Sequence, residues 1–243
     1  MKSKSQFTWL LLFITIAAFL TSCKKHPGSS TQCMITDIRK NDSFNSEWQL
    51  TYDSSKRLSM IYDIKSGEKQ MFTYASNLMI RNKISDSGML FETDSIFLNT
   101  GGLVSSITYF NPTSGRVDQY DSMYYDSHNE LVRLTHRSTR PGYTLEEDYD
   151  WNNGDAVSYN FGGSTGTYTY YTDKQAAQGD LNEISDLLIY GVVTKHCKHL
   201  FEGNKNQTVS YSFDTDGKIT AALGSRSGST TVEQIYSYTY TCY

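Results

Sequence analysis

The sequence predicts an all-β chain, an antiparallel up-and-down meander that closes into a barrel, with one short helix near 181–190. Three observations predict it. Nineteen Tyr stand against three Pro, a strong strand bias. Segments such as Thr167-Tyr168-Thr169-Tyr170 and Ser237-Tyr238-Thr239-Tyr240 alternate Tyr with Ser or Thr, so one face packs and the other is wet. A hairpin turn of one design recurs along the chain. A dozen or more strands rarely stay as one open sheet, and closure removes the edges.

The first element is not part of that sheet. Lys2 and Lys4 precede an apolar run, Phe7 to Leu20, broken only by Thr8 and Thr15. Its length falls short of the roughly 20 residues a spanning helix needs. A basic start, a short apolar core and small residues before a cut site make residues 1–22 a signal peptide. Leu20-Thr21-Ser22-Cys23 resembles a bacterial lipobox, which implies lipidation of Cys23 and cleavage before it. Several acyl chains on one residue would hold firmly, because each buried methylene adds about 0.8 kcal/mol. Residues 23–32 (CKKHPGSSTQ) read as a flexible tether. Lys24 is not the Asp that retains lipoproteins in the inner membrane, so an outer-membrane address is expected, with either face open.

Composition limits the partners and the domain count. Removal of 1–22 takes two Lys and no acid, leaving 20 basic and 26 acidic residues, a net of −6. No basic stripe marks a nucleic-acid partner. Residues 33–243 fit one β domain. Cys33, Cys197 and Cys242 remain in an oxidising compartment, so one disulfide is expected; spacing leaves all three pairings open, with the third thiol expected to be buried.

Hairpins organise the body of the chain. Tyr52-Asp53-Ser54-Ser55-Lys56-Arg57-Leu58, Tyr125 to Leu131 and Phe213-Asp214-Thr215-Asp216-Gly217-Lys218-Ile219 share one frame. Phe97 to Leu103 is a looser copy, Tyr74 to Leu78 a degenerate one, and Tyr149-Asp150-Trp151-Asn152-Asn153-Gly154 starts alike and runs longer. In this frame Asp caps its own turn through the backbone two residues on. Lys56, Asn129 and Gly217 take the left-handed position of a type I turn with a G1 bulge. The aromatic and the aliphatic residue then face each other across the hairpin. Successive starts lie 22, 23, 28 and 24 residues apart, and then 64.

The long gap holds an insertion. Asp180 with Glu183 resembles a capping box, Leu181, Ile184, Leu187 and Leu188 share a helical face, and Gly191 suits the position after the last turn. This helix is expected to plug or cap one end of the sheet. The chain closes with a Tyr/Thr strand.

These features carry a resemblance. The Y-D-x-x-G-x-[LI] hairpins resemble tyrosine-aspartate (YD/Rhs-type) repeats. The capped helix, the link Lys195-His196-Cys197-Lys198-His199-Leu200, the run Val209 to Ile219 and the terminal strand resemble a domain-of-unknown-function family described as porin-like. Its members are lipoproteins of gut Bacteroidota. This link lacks the Pro usual there. The resemblance implies a porin-like barrel and brings no catalytic residues.

Candidate chemistry is sparse. His196, Cys197 and His199 could hold zinc, but Lys195 and Lys198 flank them and no fourth ligand is evident, so no metal site is assigned. Asp214-Thr215-Asp216-Gly217 starts like a calcium loop but lacks the later ligands, and its sister turns keep the same frame without the second Asp. A glycosidase needs two carboxylates at a set separation across a sugar; Glu146, Asp148 and Asp150 would share one strand face, and a solvated edge is the expected reading. Trp48 and Trp151 are candidate ligand-stacking platforms. No cofactor is implied.

The expectation is a lipid-anchored cell-envelope protein, a non-catalytic binding or structural module. Its partners would be the membrane, through Cys23, and a glycan or envelope protein. The alternatives are an integral outer-membrane barrel and a glycan-active hydrolase. Strand faces rich in Ser, Thr and Tyr count against a lipid-facing band.

Overall fold

A computed structural model describes residues 32–41, 45–139, 143–229 and 231–243. The signal peptide, Cys23 and the tether up to residue 31 lie outside the described residues. Contacts divide the described chain into two units. One spans Met34–Thr241; the other holds Cys33, Cys242 and Tyr243.

Sixteen strands run in chain order, all in the larger unit but for the terminal residues Cys33 and Cys242: β1 (Cys33–Asn41), β2 (Ser46–Tyr52), β3 (Leu58–Asp63), β4 (Lys69–Tyr74), β5 (Leu78–Ile84), β6 (Leu90–Leu98), β7 (Val104–Asn111), β8 (Arg116–Tyr125), β9 (Leu131–Ser138), β10 (Thr144–Asn152), β11 (Asp155–Phe161), β12 (Ser164–Gln175), β13 (His199–Asn204), β14 (Gln207–Phe213), β15 (Ile219–Arg226) and β16 (Val232–Cys242). Each pairs with its sequence neighbours, and β1 pairs with β16, so the sheet is a closed barrel. The all-β meander, its closure and the single helix among the described residues are as the sequence predicts.

The repeated turn has the geometry its residues dictate. Asp53 Oδ1 accepts from the backbone N of Ser55 (2.8 Å) and Arg57 (3.0 Å). Asp126 does the same for His128 and Glu130, and Asp214 for Asp216 and Lys218. In the looser copy, the Asn99 side-chain oxygen replaces the carboxylate. Lys56, Asn129 and Gly217 have φ of 61°, 65° and 80°. The expected pairs face each other: Tyr52 with Leu58, Tyr125 with Leu131, Phe213 with Ile219. The unit at Tyr149 departs from this frame. Asn153-Gly154 closes a two-residue turn with φ of 54° and 86°, so Asp150 stays in β10 and accepts from Ser158 Oγ at 2.6 Å instead of capping.

Aromatic side chains then tie hairpin to hairpin. Tyr74 OH donates to Leu58 O (2.7 Å), Tyr240 OH to Ile219 O (2.8 Å) and Trp151 Nε1 to Leu131 O (2.8 Å). Each acceptor is the first residue of the strand that follows a Y-D turn. The bulge at these turns breaks the local ladder, and the aromatic donor satisfies a carbonyl there.

Helix α1 (Leu181–Tyr190) crosses the lumen. Asp180 caps it, with Oδ1 accepting from Asn182 N at 2.8 Å, and Gly191 ends it in the left-handed region at φ 77°. The capping box is only half made. Asp180 N–H already donates to Ala177 O at 2.9 Å, so Glu183 has no donor to reach back to and lies 4.0 Å from His196. The two ends of the helix meet different walls. Leu181 N donates to Tyr211 OH on β14, while Arg81 on β5 meets the last turn.

The turns β2–β3, β4–β5, β6–β7, β8–β9, β10–β11 and β14–β15 share one end of the meander, where β1 begins and β16 ends. The helix enters and leaves at that end, between β12 and β13. The core is the inner wall: Ile38, Leu50, Ile61, Ile96, Ile107, Leu134 and Val209 are among its buried residues. In the smaller unit Cys33 and Cys242 form the disulfide that spacing left open. Cys197 is free and half-buried, its Sγ 3.3 Å from Tyr170 OH, and burial pushes its thiol pKa up.

Candidate functional site

Among the inward positions of β5 to β10 is a layer of charge. It results from register. Arg81 pairs with Asp94, Lys83 with Glu92, and Asp121 with His136. Because period-two alternation sends these residues to the same face, each pair meets inside the barrel. The ion pairs measure 2.6 Å for Arg81 Nε–Asp94 Oδ2, 2.6 Å for Lys83 Nζ–Glu92 Oε1 and 2.9 Å for His136 Nδ1–Asp121 Oδ1.

Asp121 also accepts from Tyr109 OH (2.7 Å) and Gln119 Nε2 (2.7 Å). The hydrogen bond to Asp121, with Glu147 3.9 Å away on the other side, raises His136 to a pKa of about 9. His136 is therefore an imidazolium at neutral pH, which removes it as a general base there. Burial would raise Glu147, but His136 and the donating Tyr149 hydroxyl outweigh it and hold that carboxyl below its ordinary value. Burial pushes Asp94 up despite Arg81.

Above α1 these walls enclose an open cavity of about 360 Å³. Arg81, Lys83, Glu92, Asp118, Gln119, Asp121 and His136 form its sides with Tyr109; Ile189 and Tyr190, the end of the helix, form its floor. Its sides run toward the β5–β6 and β7–β8 turns, so it opens at the end opposite the Y-D turns.

The residues singled out from the sequence lie elsewhere. Trp48 and Trp151 are half-buried, packed against the core, and neither lines this cavity. Glu146, Asp148 and Asp150 do share the outward face of β10. Arg133 binds two of them, Asp148 at 2.6 Å and Glu146 at 3.9 Å, in solvent. The link residues separate: His199 is buried against Asp155 at 2.6 Å, while His196 is exposed. Asp214 and Asp216 hold Lys218 at 3.2 and 2.8 Å. Among the described residues one group has metal-like spacing, Asp126, His128 and Glu130; its Asp126 carboxylate is already engaged in the turn. Gly162-Gly163-Ser164-Thr165-Gly166 fits the G-x-S-x-G spacing, which sequence reasoning overlooked. It forms the β11–β12 turn and the start of β12, not the strand-to-helix elbow that exposes a nucleophile.

Sequence reasoning also missed the inner layer. The signal it could have used was opposite charge at matched distances from a shared turn, as in Arg81 and Lys83 against Glu92 and Asp94. A second miss is Asp186, buried on the helix. Its Oδ2 accepts from Thr194 N (2.9 Å) and Thr194 Oγ1 (2.6 Å), fastening the segment that returns from the lumen.

One solved structure of known fold shares this architecture. A porin-like protein from Bacteroides uniformis ATCC 8492 superposes with a TM-score of 0.62. The match covers 87% of this chain and 99% of that one at 14% identity. At that identity the likeness is one of fold. Two Tc toxin structures also match at 14% identity. The TcdB2-TccC3-Cdc42 complex covers 78% of this chain and 10% of its own, with a TM-score of 0.24. The Photorhabdus luminescens holotoxin pore covers 81% and 9%, with a TM-score of 0.23, and at these scores neither bears on the hairpin repeats. No family model and no curated protein matches the chain.

Proposed function

We propose that this protein is a lipid-tethered, water-facing barrel of the outer membrane that binds a ligand or partner without catalysis. The observation that carries the reading is which wall is apolar. A spanning barrel needs an outward apolar band about 25 Å tall, with aromatic girdles and a polar lumen. Here the inner wall is mostly apolar apart from the charged layer on β5 to β10, and a helix crosses the lumen between β14 and β5.

The outer wall carries polar cross-strand pairs: Arg133 with Asp148, Asp150 with Ser158, Thr51 with Ser59, Arg39 with Glu47. Exposed aromatics do occur there, on β6 to β8. Each has a Ser, Thr or Arg as a register partner on one side: Phe97 with Ser106, Phe110 with Thr93, Tyr120 with Arg137, Tyr124 with Arg133; on the other side Phe97 meets Leu78 and Phe110 meets Val117. That interleaving breaks up a lipid-facing band. Attachment through Cys23, cleavage after residue 22 and a glycan or envelope partner belong to the same proposal. A stacking role for Trp48 or Trp151 does too.

The test is fractionation of the full chain expressed in a bacterial host with radiolabelled palmitate. The native chain takes up label and sediments with membranes. Cys23→Ala loses the label and purifies without detergent as a monodisperse β-rich monomer that does not conduct in planar bilayers. A Cys23→Ala protein that stays in solution only with detergent overturns the reading in favour of an integral barrel.

A further inference from the structure

We infer that the cavity above α1 is a binding site for a neutral, polyhydroxylated ligand of mono- or disaccharide size. The inference deepens the binding role proposed above and rests on it.

Three features of the cavity lead there. The first is size. At about 360 Å³ it lies at the lower end of the range of small-molecule sites, about 300–1,000 Å³.

The second is charge balance. The lining holds Arg81, Lys83 and His136 against Glu92, Asp118 and Asp121, and each cation has an anion beside it: Arg81 has Asp94 behind the wall, Lys83 has Glu92, and His136 has Asp121. An anionic ligand gains Arg81, Lys83 and His136 and meets Glu92, Asp118 and Asp121; a cationic one faces the same groups with the signs reversed. Either charge loses hydration with little net attraction in return. A ligand with hydroxyl groups meets donors and acceptors within a hydrogen bond of each other, and each hydroxyl can both donate and accept. One donor is already without a partner. Arg81 is fully buried, its Nε and Nη1 are engaged, and its Nη2 has no hydrogen-bond partner. A buried donor left so costs about 1–3 kcal/mol.

The third is the floor. Ile189 is 58% exposed although it sits at the end of a helix inside the barrel, and Tyr190 is beside it. An aliphatic side chain left open beneath a ring of polar groups matches the C–H face of a pyranose, whose rim is hydroxyl. The site is then amphipathic in the same sense as its ligand. It is also reachable, because the mouth lies at the end away from the Y-D turns and from Met34, where the chain enters the barrel.

Titration calorimetry and saturation-transfer NMR on the full chain test this. The probes are glucose, galactose, mannose, N-acetylglucosamine, maltose and cellobiose, with glucuronate and glucosamine as charged counterparts. At least one neutral sugar binds, and neither charged counterpart binds more tightly. Ile189→Arg, which fills the floor from an exposed position, weakens binding by at least about tenfold, a loss of about 1.4 kcal/mol. Gln119→Ala, on the wall, weakens it as well and covers the case in which Ile189→Arg does not fold. Thr51→Ala, on the outer wall, leaves it unchanged.

Absence of binding by every neutral sugar overturns the inference. So does tighter binding of glucuronate or glucosamine, or binding that survives both cavity variants. These failures are separable from failure of the proposed function. A detergent-free Cys23→Ala monomer that binds no sugar removes only the cavity assignment. A barrel that needs detergent removes the tethered reading.

Discussion

Arg81 Nη1 donates to the carbonyl oxygen of Ile189 at 2.6 Å, across 108 residues of sequence. The carbonyl is one of those left without a partner at the end of α1, and the guanidinium supplies both a donor and a positive charge to the negative end of the helix dipole. At the other end, the Asp180 carboxylate accepts from Asn182 N inside the helix and from Phe201 N on β13. The plug is held by its two polar ends, each fixed to the wall.

Removing Arg81 is therefore expected to be costly. Arg81→Met removes the cation beside buried Asp94, which must then take up a proton or stay unpaired, and frees the Ile189 carbonyl, for a loss of about 3–5 kcal/mol. Arg81→Met with Asp94→Leu recovers much of it. Urea unfolding monitored by circular dichroism gives both numbers, and a single variant within about 1 kcal/mol of the native chain contradicts the assigned role.

Gly191 and Gly217 separate two costs of adding a methyl group. Both have positive φ, 77° and 80°. A Cβ at Gly217 meets open space, whereas one at Gly191 collides with the Phe72 ring. Gly217→Ala is expected to lose about 1 kcal/mol from backbone strain alone. Gly191→Ala adds overpacking against Phe72 and loses about 1–3 kcal/mol more. Equal losses in thermal melts would place the helix end away from Phe72.

Stability should fall as pH rises above neutrality. Burial raises Asp180 to about 6 and Glu183 to about 7, and the hydrogen bond to Asp121 raises His136 to about 9. A group whose pKa is raised on folding gives stability that is complete below its unfolded value and lost as pH passes its folded value. The carboxyls lose theirs between about pH 4 and 7, and His136 between about pH 6.5 and 9. Glu147, held low, acts in the opposite sense at acid pH. Melting temperature is thus expected to peak near pH 5 and decline to pH 10. His136→Gln should flatten the upper part of the decline; an unchanged slope there counts against the His136–Asp121 pair.

Trp151 occupies the place that Tyr74 and Tyr240 take in their own units, donating to the carbonyl at the start of a neighbouring strand. Trp151→Phe keeps most of the packing and loses the donor. The expected cost is about 1 kcal/mol, up to about 3 if the Leu131 carbonyl stays dry. Chemical denaturation measures it.

The repeated frame shows how far the linear chain can be read. Asp53, Asp126 and Asp214 bind backbone groups two and four residues ahead, and the left-handed Lys56, Asn129 and Gly217 sit between them. These are local interactions, so neighbouring letters carry them. The same holds for the ends of α1, where Asp180 and Gly191 are within one turn of what they cap. The reach-back expected of Glu183 failed because Ala177, outside the motif, had already taken the Asp180 N–H. Trp48 and Trp151 were singled out by residue type alone, and residue type does not say what a side chain touches.

Local chemistry in the sequence determined the meander, its turns and the one helix, because strand alternation, Asx caps and left-handed positions act within a few residues. Tertiary structure decided the rest. Closure of β1 on β16 chose which face became the interior, and only then did Arg81, Asp94, Asp121, His136 and the far carbonyl of Ile189 come together. Contacts between strands a hundred residues apart depend on the curvature and register of the whole sheet, which no local pattern encodes.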